Sequence, residues 1–151
     1  MTVSFRRARR ADLPALVALI ADDPVNGWRE QAGEPIAPGY VAAFAAIEAD
    51  PNNLLVVGER DGEIVATAQI SFVPTLAQQG ATRAIVEGVR VSSTLRSQGI
   101  GEALLRHMEG LARERGCPAV QLTTSHARVD AHRFYERIGY KHHHKGFKRE
   151  L

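Results

Sequence analysis

The chain has 151 residues, 44% of them hydrophobic and 24% charged, with a formal net charge of +2. That is the size and make-up of one soluble globular domain, residues 1–151, built on a single core. No apolar run approaches ~18 residues, the first residues lack an apolar signal core, and the charge is too small to argue for a nucleic acid or an anionic membrane. The one cysteine, Cys117, cannot form an internal disulfide, which suits a reducing cytoplasm.

Val3 to Arg9 reads as a first strand. Asp12 is a suitable N-cap for a helix whose Leu13, Leu16, Val17 and Ile20 form one stripe, with Pro14 tolerated in the first turn. Asp22 to Gly39 is broken by Pro24, Gly27, Gly33, Pro35, Pro38 and Gly39, so it predicts a long loop with a helical turn near Trp28 to Gln31. A second helix runs from about Gly39 to Ala49 and stops at Asp50-Pro51. Leu54 to Glu59 and Ile64 to Phe72 are strands joined by a hairpin turn at Asp61-Gly62. After a connection over Pro74 to Thr82, Arg83 to Val91 is the next strand. A helix from Gly99 carries Ile100, Leu104, Met108 and Leu111 on one face and ends at Gly116. Ala119 to Thr124 predicts a strand, Asp130 to Ile138 a short helix, and two short strands finish the chain. This order describes an α+β domain.

The junction between the strand ending at Val91 and the helix starting near Gly99 is Arg96-Ser97-Gln98-Gly99-Ile100-Gly101. Its glycines let the backbone approach a ligand, and the orphan N–H groups of a first helical turn attract an anion such as pyrophosphate. A dinucleotide fingerprint needs a further glycine where Leu104 stands, and a P-loop needs Lys-Ser/Thr where Glu102-Ala103 stand. Neither fits.

The Arg-x-x-Gly-x-Gly turn resembles that of the GNAT N-acetyltransferases. A second block, Asp130-Ala131-His132-Arg133-Phe134-Tyr135-Glu136-Arg137-Ile138-Gly139-Tyr140, is similar to that family's C-terminal signature, at about the right distance after the turn. The resemblance spans nearly the whole chain. It implies the GNAT fold, a mostly antiparallel twisted sheet of about seven strands flanked by about four helices, and acetyl-coenzyme A as cosubstrate. It also implies that Arg96, Ser97, Gln98, Gly99, Ile100, Gly101 and Glu102 grip the pyrophosphate. Val89, Arg90 and Val91 would pair with the pantetheine arm as a peptide adds to a sheet edge, and Asp130 and Phe134 would lie beside the coenzyme. Asp130 stands where many relatives carry Asn, which puts its contact in doubt. The resemblance is specific for fold and acyl donor, and leaves the acceptor open.

Direct transfer from a thioester to a primary amine needs a proton for the leaving sulfur, a base for the amine and a donor for the oxyanion. Tyr135 is the candidate acid, about 100° round its helix from the face of Ala131, Phe134 and Ile138; the plainer reading is a tyrosine at the core margin. Glu87 is the candidate base. Strict alternation puts it among Ile85, Val89 and Val91, where partial burial would raise its pKa; it could equally position a cationic substrate or pair with an arginine. His126 and Asp130 are fallback bases, with Asp130 also able to cap its helix, and the Val89 N–H is the oxyanion donor. Cys117, beyond a helix C-terminus, is structural.

The arginines at 6, 7, 9 and 10 are weak support for a nucleic-acid role. His142, His143 and His144, among Lys141, Lys145, Lys148 and Arg149, alternate across a strand and make a poor metal site, so a solvated strand edge is expected and no metal. Asp22, Asp23, Glu30 and Glu34 with Trp28 and Tyr40 would suit a cationic amine, or form an ordinary solvated loop. A small-molecule amine is the expected acceptor; protein Lys or N-terminal acetylation and a non-catalytic acyl-coenzyme A sensor are the alternatives. Relatives of this kind often dimerise, so a homodimer is a partner to expect.

Overall fold

Alternating apolar residues write the three long strands at the centre of the sheet: β2 (Asn53–Arg60), β3 (Glu63–Pro74) and β4 (Thr82–Val91). The computed structural model, which describes residues 2–151, adds β1 (Ser4–Arg7) beside β2 and β5 (Val120–Leu122) beside β4. The sheet order is β1-β2-β3-β4-β5, antiparallel except for the β4–β5 pair. The turn between β2 and β3 holds Asp61 at φ 54° and Gly62 at φ 81°, the left-handed pair that a two-residue hairpin demands.

Period two divides the strands between two cores. Val57 joins Ala8, Leu13, Leu16 and Phe44 beneath α1 (Leu13–Ala21) and α2 (Pro38–Ala49). On the other face Val56, Ile70, Phe72 and Val86 meet the buried stripe Ile100, Leu104, Leu105 and Met108 of α4 (Ile100–Glu114). The connection before β4 contains α3 (Ala77–Gly80), a single turn in which Gln78 and Gln79 take left-handed backbone angles. The chain then closes with α5 (Val129–Arg137).

Three expectations need correction. Asp12 does not cap α1 through its side chain; its carboxylate accepts from the Arg9 N–H at 2.7 Å and from both Nη atoms of Arg6 at 2.8 and 3.0 Å. No strand follows α5, so the sheet has five strands rather than about seven. The reason lies in composition: between Lys141 and Glu150 the one large apolar side chain is Phe147, and it and Leu151 stay in solvent. Such a segment has no apolar face to lay on the sheet. The expected strand edge around His142 to His144 is therefore an exposed, non-strand segment.

The third correction concerns β4. Gly88, at φ 64°, breaks its alternation, and the register against β3 shifts there: Gln69 faces Glu87, yet Thr67 already faces Arg90. This is a β-bulge. It switches parity, so that Val89 and Val91 pack on the α4 core with Ala84 and Val86. Glu87 keeps the phase of Ile85, on the opposite face, and is exposed rather than partly buried. Pairing with β5 also stops at Val86–Leu122. Beyond that point the β4 edge has no strand paired to it on the β5 side.

Candidate active site

The candidate cleft lies along the unpaired β4 edge from Glu87 to Val91, beside the turn into α4 and α5. In that turn Ser97 (φ 64°) and Gly99 (φ 80°) are left-handed, and α4 starts at Ile100 with Gly99 as its N-cap. Alternating backbone hands turn successive N–H groups to the same side, a concave anion nest. Among the described residues no backbone or side-chain partner occupies the N–H groups from Ser97 to Glu102. A Cβ built on Gly99 would meet nothing within 4 Å, so the approach to this nest is open. At Gly101 the same Cβ would stand 3.3 Å from Cζ of Phe134 and 3.7 Å from Cγ2 of Val91. Gly101 is thus what lets α5 and the end of β4 close on the turn.

Of the predicted coenzyme residues, Val91, Gly101 and Phe134 come together here, and Val89, Arg90, Arg96, Ser97, Gln98, Gly99, Ile100 and Glu102 are their chain neighbours in β4, the turn and the start of α4. Asp130 lies in the first turn of α5, exposed and with no capping hydrogen bond, and His126 is exposed in the preceding loop. A free strand edge and an unengaged nest suit a ligand with an extended amide-bearing arm and a pyrophosphate.

Tyr135 extends from α5 between Phe134 and Tyr140, with edge-on ring separations of 5.2 and 6.0 Å. Burial pushes its phenol above the ordinary value, while the nearby Arg90 and Arg128 guanidiniums pull it partly back. Its hydroxyl makes no hydrogen bond among the described residues, so its proton is free for a ligand. Glu87 is exposed and unpaired on the face of the sheet that α1 and α2 cover.

On that face lies a cluster that the sequence reading did not assemble. Asp23, in the loop after α1, accepts two bonds from Arg128 in the β5–α5 loop and one from Nη2 of Arg90 at 3.1 Å. The Val25 N–H adds a fourth at 3.0 Å. The paired guanidinium of Arg128 holds the Asp23 carboxyl down at about 2. Neighbouring Asp22 accepts from the Ser93 N–H at 3.2 Å, and the Ser93 hydroxyl and N–H together lower its pKa; Arg96 reaches its carbonyl at 3.5 Å. Glu30 takes the Tyr40 hydroxyl at 2.6 Å. Three of the four loop carboxylates expected to receive a cationic amine are thus already engaged by the protein. Trp28 is exposed. Arg128 carried no signal in the sequence, since nothing local ties residue 128 to residue 23.

Elsewhere, a concavity of about 460 Å3 lined by Arg6, Arg7, Ala8, Arg9, Arg10 and Glu48 lies by β1, at the sheet edge far from the cleft. Among the described residues no three His, Cys, Asp or Glu side chains gather as metal ligands, and no helix is long and apolar enough to cross a membrane.

An unpaired strand edge after a bulge, an open N–H nest at a helix start and a tyrosine hydroxyl without a protein partner among the described residues suit an acyl-coenzyme A ligand. The model of the Acetyltransferase (GNAT) family matches residues 14–140, and the chain belongs to that family. It is 34% identical over 147 residues to aminoalkylphosphonate N-acetyltransferase of Salmonella typhimurium strain LT2, covering 97% of this chain and 90% of that protein. It is 30% identical to streptothricin acetyltransferase of Streptomyces lavendulae, over 85% of this chain and 60% of that one. Among solved structures, one from Bacillus halodurans C-125, called a transcriptional regulator, superposes with a TM-score of 0.96 at 43% identity, over 99% of this chain and 100% of that one. The chain is an acetyl-coenzyme A-dependent N-acetyltransferase that acts on amines.

Proposed function

We propose that this enzyme acetylates a small-molecule primary amine in the candidate cleft along the unpaired β4 edge, with Tyr135 as general acid. The observation that carries the reading is the free Tyr135 hydroxyl, on α5 beside the coenzyme turn, in surroundings that favour its protonated form. Acetyl-coenzyme A supplies an activated acetyl thioester. The N–H groups of Ser97 to Glu102, with Arg96, hold its pyrophosphate, and the β4 edge at Val89 to Val91 holds its pantetheine. The Val89 N–H receives the charge that develops on the carbonyl oxygen. As the amine nitrogen bonds to the acetyl carbon and the carbon–sulfur bond breaks, Tyr135 gives its proton to the sulfur. Glu87, on the opposite face from Val89, takes the proton released by the amine through water, and the phenol is restored from solvent.

The Salmonella and Streptomyces relatives are named for small acceptors, which favours a small amine here over a protein. A cytoplasmic enzyme, consistent with the lone Cys117, is the setting we expect. We expect no nucleic acid or membrane partner: of the N-terminal arginines, Arg6 is neutralised by Asp12 and Glu59. A homodimer is supported by the exposed Phe147 and Leu151 on an arm that its own sheet does not use.

The test is coenzyme A release against a panel of amines. Tyr135→Phe is expected to lower kcat about 100-fold or more with KM for acetyl-coenzyme A little changed, and Glu87→Gln to lower it about tenfold. Turnover by Tyr135→Phe within a few-fold of the parent would remove the tyrosine from the chemistry. Tight coenzyme binding with no turnover of any amine would favour the sensor reading.

A further inference from the structure

The Asp23 cluster is unevenly filled. Asp23 accepts four bonds, two from Arg128, one from Arg90 and one from Val25 N–H, which uses the lone-pair sites of a carboxylate. The arginines are not used up. A guanidinium has five N–H donors. Arg128 commits one from each Nη to Asp23, and Arg90 commits one to Asp23 and one to the Val89 carbonyl at 2.9 Å, leaving three on each. Among the described residues, Nε of Arg90 is buried and has no partner. Two positive charges against one negative leave the cluster at +1.

The surplus is also on the accessible side. The Asp23 side chain is 1% exposed, while those of Arg90 and Arg128 are each 22% exposed. A ligand reaching the cluster therefore meets the arginine side chains, with the carboxylate sealed. Arg90 lies near the end of β4 and Arg128 immediately before α5, the helix of Tyr135, so both flank the candidate cleft. Glu87 and Arg90 share the acceptor face of β4, so an amine near Glu87 has the arginine pair within reach of a short linker.

We propose that the acceptor is a short amine carrying an anionic group, and that Arg128 and Arg90 seat that anion through their unused N–H donors while Asp23 holds both guanidiniums in place. The substrate is then zwitterionic: anion on the arginines, nitrogen towards Glu87 and the thioester. Asp23 is a positioning residue and the arginines are the specificity determinants. This rests on reading the cleft as an amine acetyltransferase site. A cluster serving only to tie the Asp22–Arg29 loop to the sheet would work with one arginine and would leave no buried donor unfilled.

The experiment compares n-propylamine with four amines of similar reach: 2-aminoethylphosphonate, O-phosphoethanolamine, taurine and β-alanine. The wild-type chain is expected to favour at least one anionic amine by about tenfold or more in kcat/KM, the scale of one or two charge-assisted hydrogen bonds. The four arms separate phosphonate, phosphate, sulfonate and carboxylate. Arg128→Gln alone strands a buried carboxylate and can unfold the protein, so the informative variant is Asp23→Asn with Arg128→Gln. It is expected to keep coenzyme affinity and lose the preference by about tenfold. Equal kcat/KM for n-propylamine and all four anionic amines, or a preference that survives the double variant, overturns the proposal. Should no amine turn over, the acetyltransferase reading fails separately. Methylphosphonate then still decides the anion site, by raising the Tm of the coenzyme-loaded wild type and not of the double variant, or by raising neither.

Discussion

Two ionic triads stand at opposite edges of the sheet, and they are built in mirror image. By β1, Arg6 lies between two carboxylates: Nε donates to Glu59 at 3.0 Å, Nη1 to Asp12 and the Arg7 carbonyl at 2.8 and 3.2 Å, and Nη2 to Asp12 at 3.0 Å, with Nη2 also 2.8 Å from Glu59 as an ion pair. Four of its five donors are engaged in hydrogen bonds, and the fifth lies on the Nη2 that faces Glu59 as an ion pair. By the cleft, Asp23 lies between two arginines that keep donors in hand. The same ingredients in inverse ratio give different objects. A cation saturated by anions is a clasp that fixes β1 to the turn before α1. An anion saturated by cations leaves cationic surface over, which is a receptor. What distinguishes the two is where unused hydrogen-bonding capacity remains.

The largest test of this contrast is Arg128→Ala. It leaves the Asp23 carboxylate sealed beside a single cation, and a cost of about 3–5 kcal/mol in urea unfolding is expected, with most of it recovered by adding Asp23→Asn. A loss below ~1 kcal/mol would mean that the cluster is open to water and the two triads are alike. Acid stability comes next. The folded Asp23 carboxyl, depressed to about 2 from its ordinary 3.8, binds its proton later than in the unfolded chain, so its stabilisation is complete above about pH 5 and is lost as the pH falls through 4 towards 2. That loss amounts to about 2 kcal/mol. Asp23→Asn with Arg128→Gln should flatten this part of the acid limb in unfolding measured from pH 5 to 2; an unchanged limb would assign the loss to other carboxylates. The smallest effect is at the clasp. Arg6 and Glu59 are partly exposed, and Arg6→Ala should cost about 1–2 kcal/mol while kcat/KM stays within about twofold. A large loss of activity there would show that the β1 edge also serves the site.

Much of the site was legible because it is local. The turn from Arg96 to Gly101 is one contiguous segment whose glycines and helix start state its anion chemistry directly, and the Phe134-Tyr135 block follows within one short helix. The phase of Glu87 was misread at a single residue. An isolated Gly88 inside a strand is a signal for a bulge, and treating β4 as regular placed Glu87 among Val89 and Val91 when the bulge divides them. The terminal strands failed for a different reason: Lys141 to Glu150 lacks the apolar residues that would hold a strand on a core.

The sequence by itself determined the order of elements through α5 and the anion-binding character of the turn into α4, since each depends on period, turn residues or neighbours within a few positions. Only the tertiary structure decided the acceptor side. Residues 23, 90 and 128 come from a loop, a strand and another loop, and their charges have meaning as a group only once the fold has sealed the carboxylate and left the arginine side chains partly exposed. Charge read along the chain counted the loop acids as free. Charge read in space finds the Asp23 carboxylate occupied and an arginine surplus beside Tyr135.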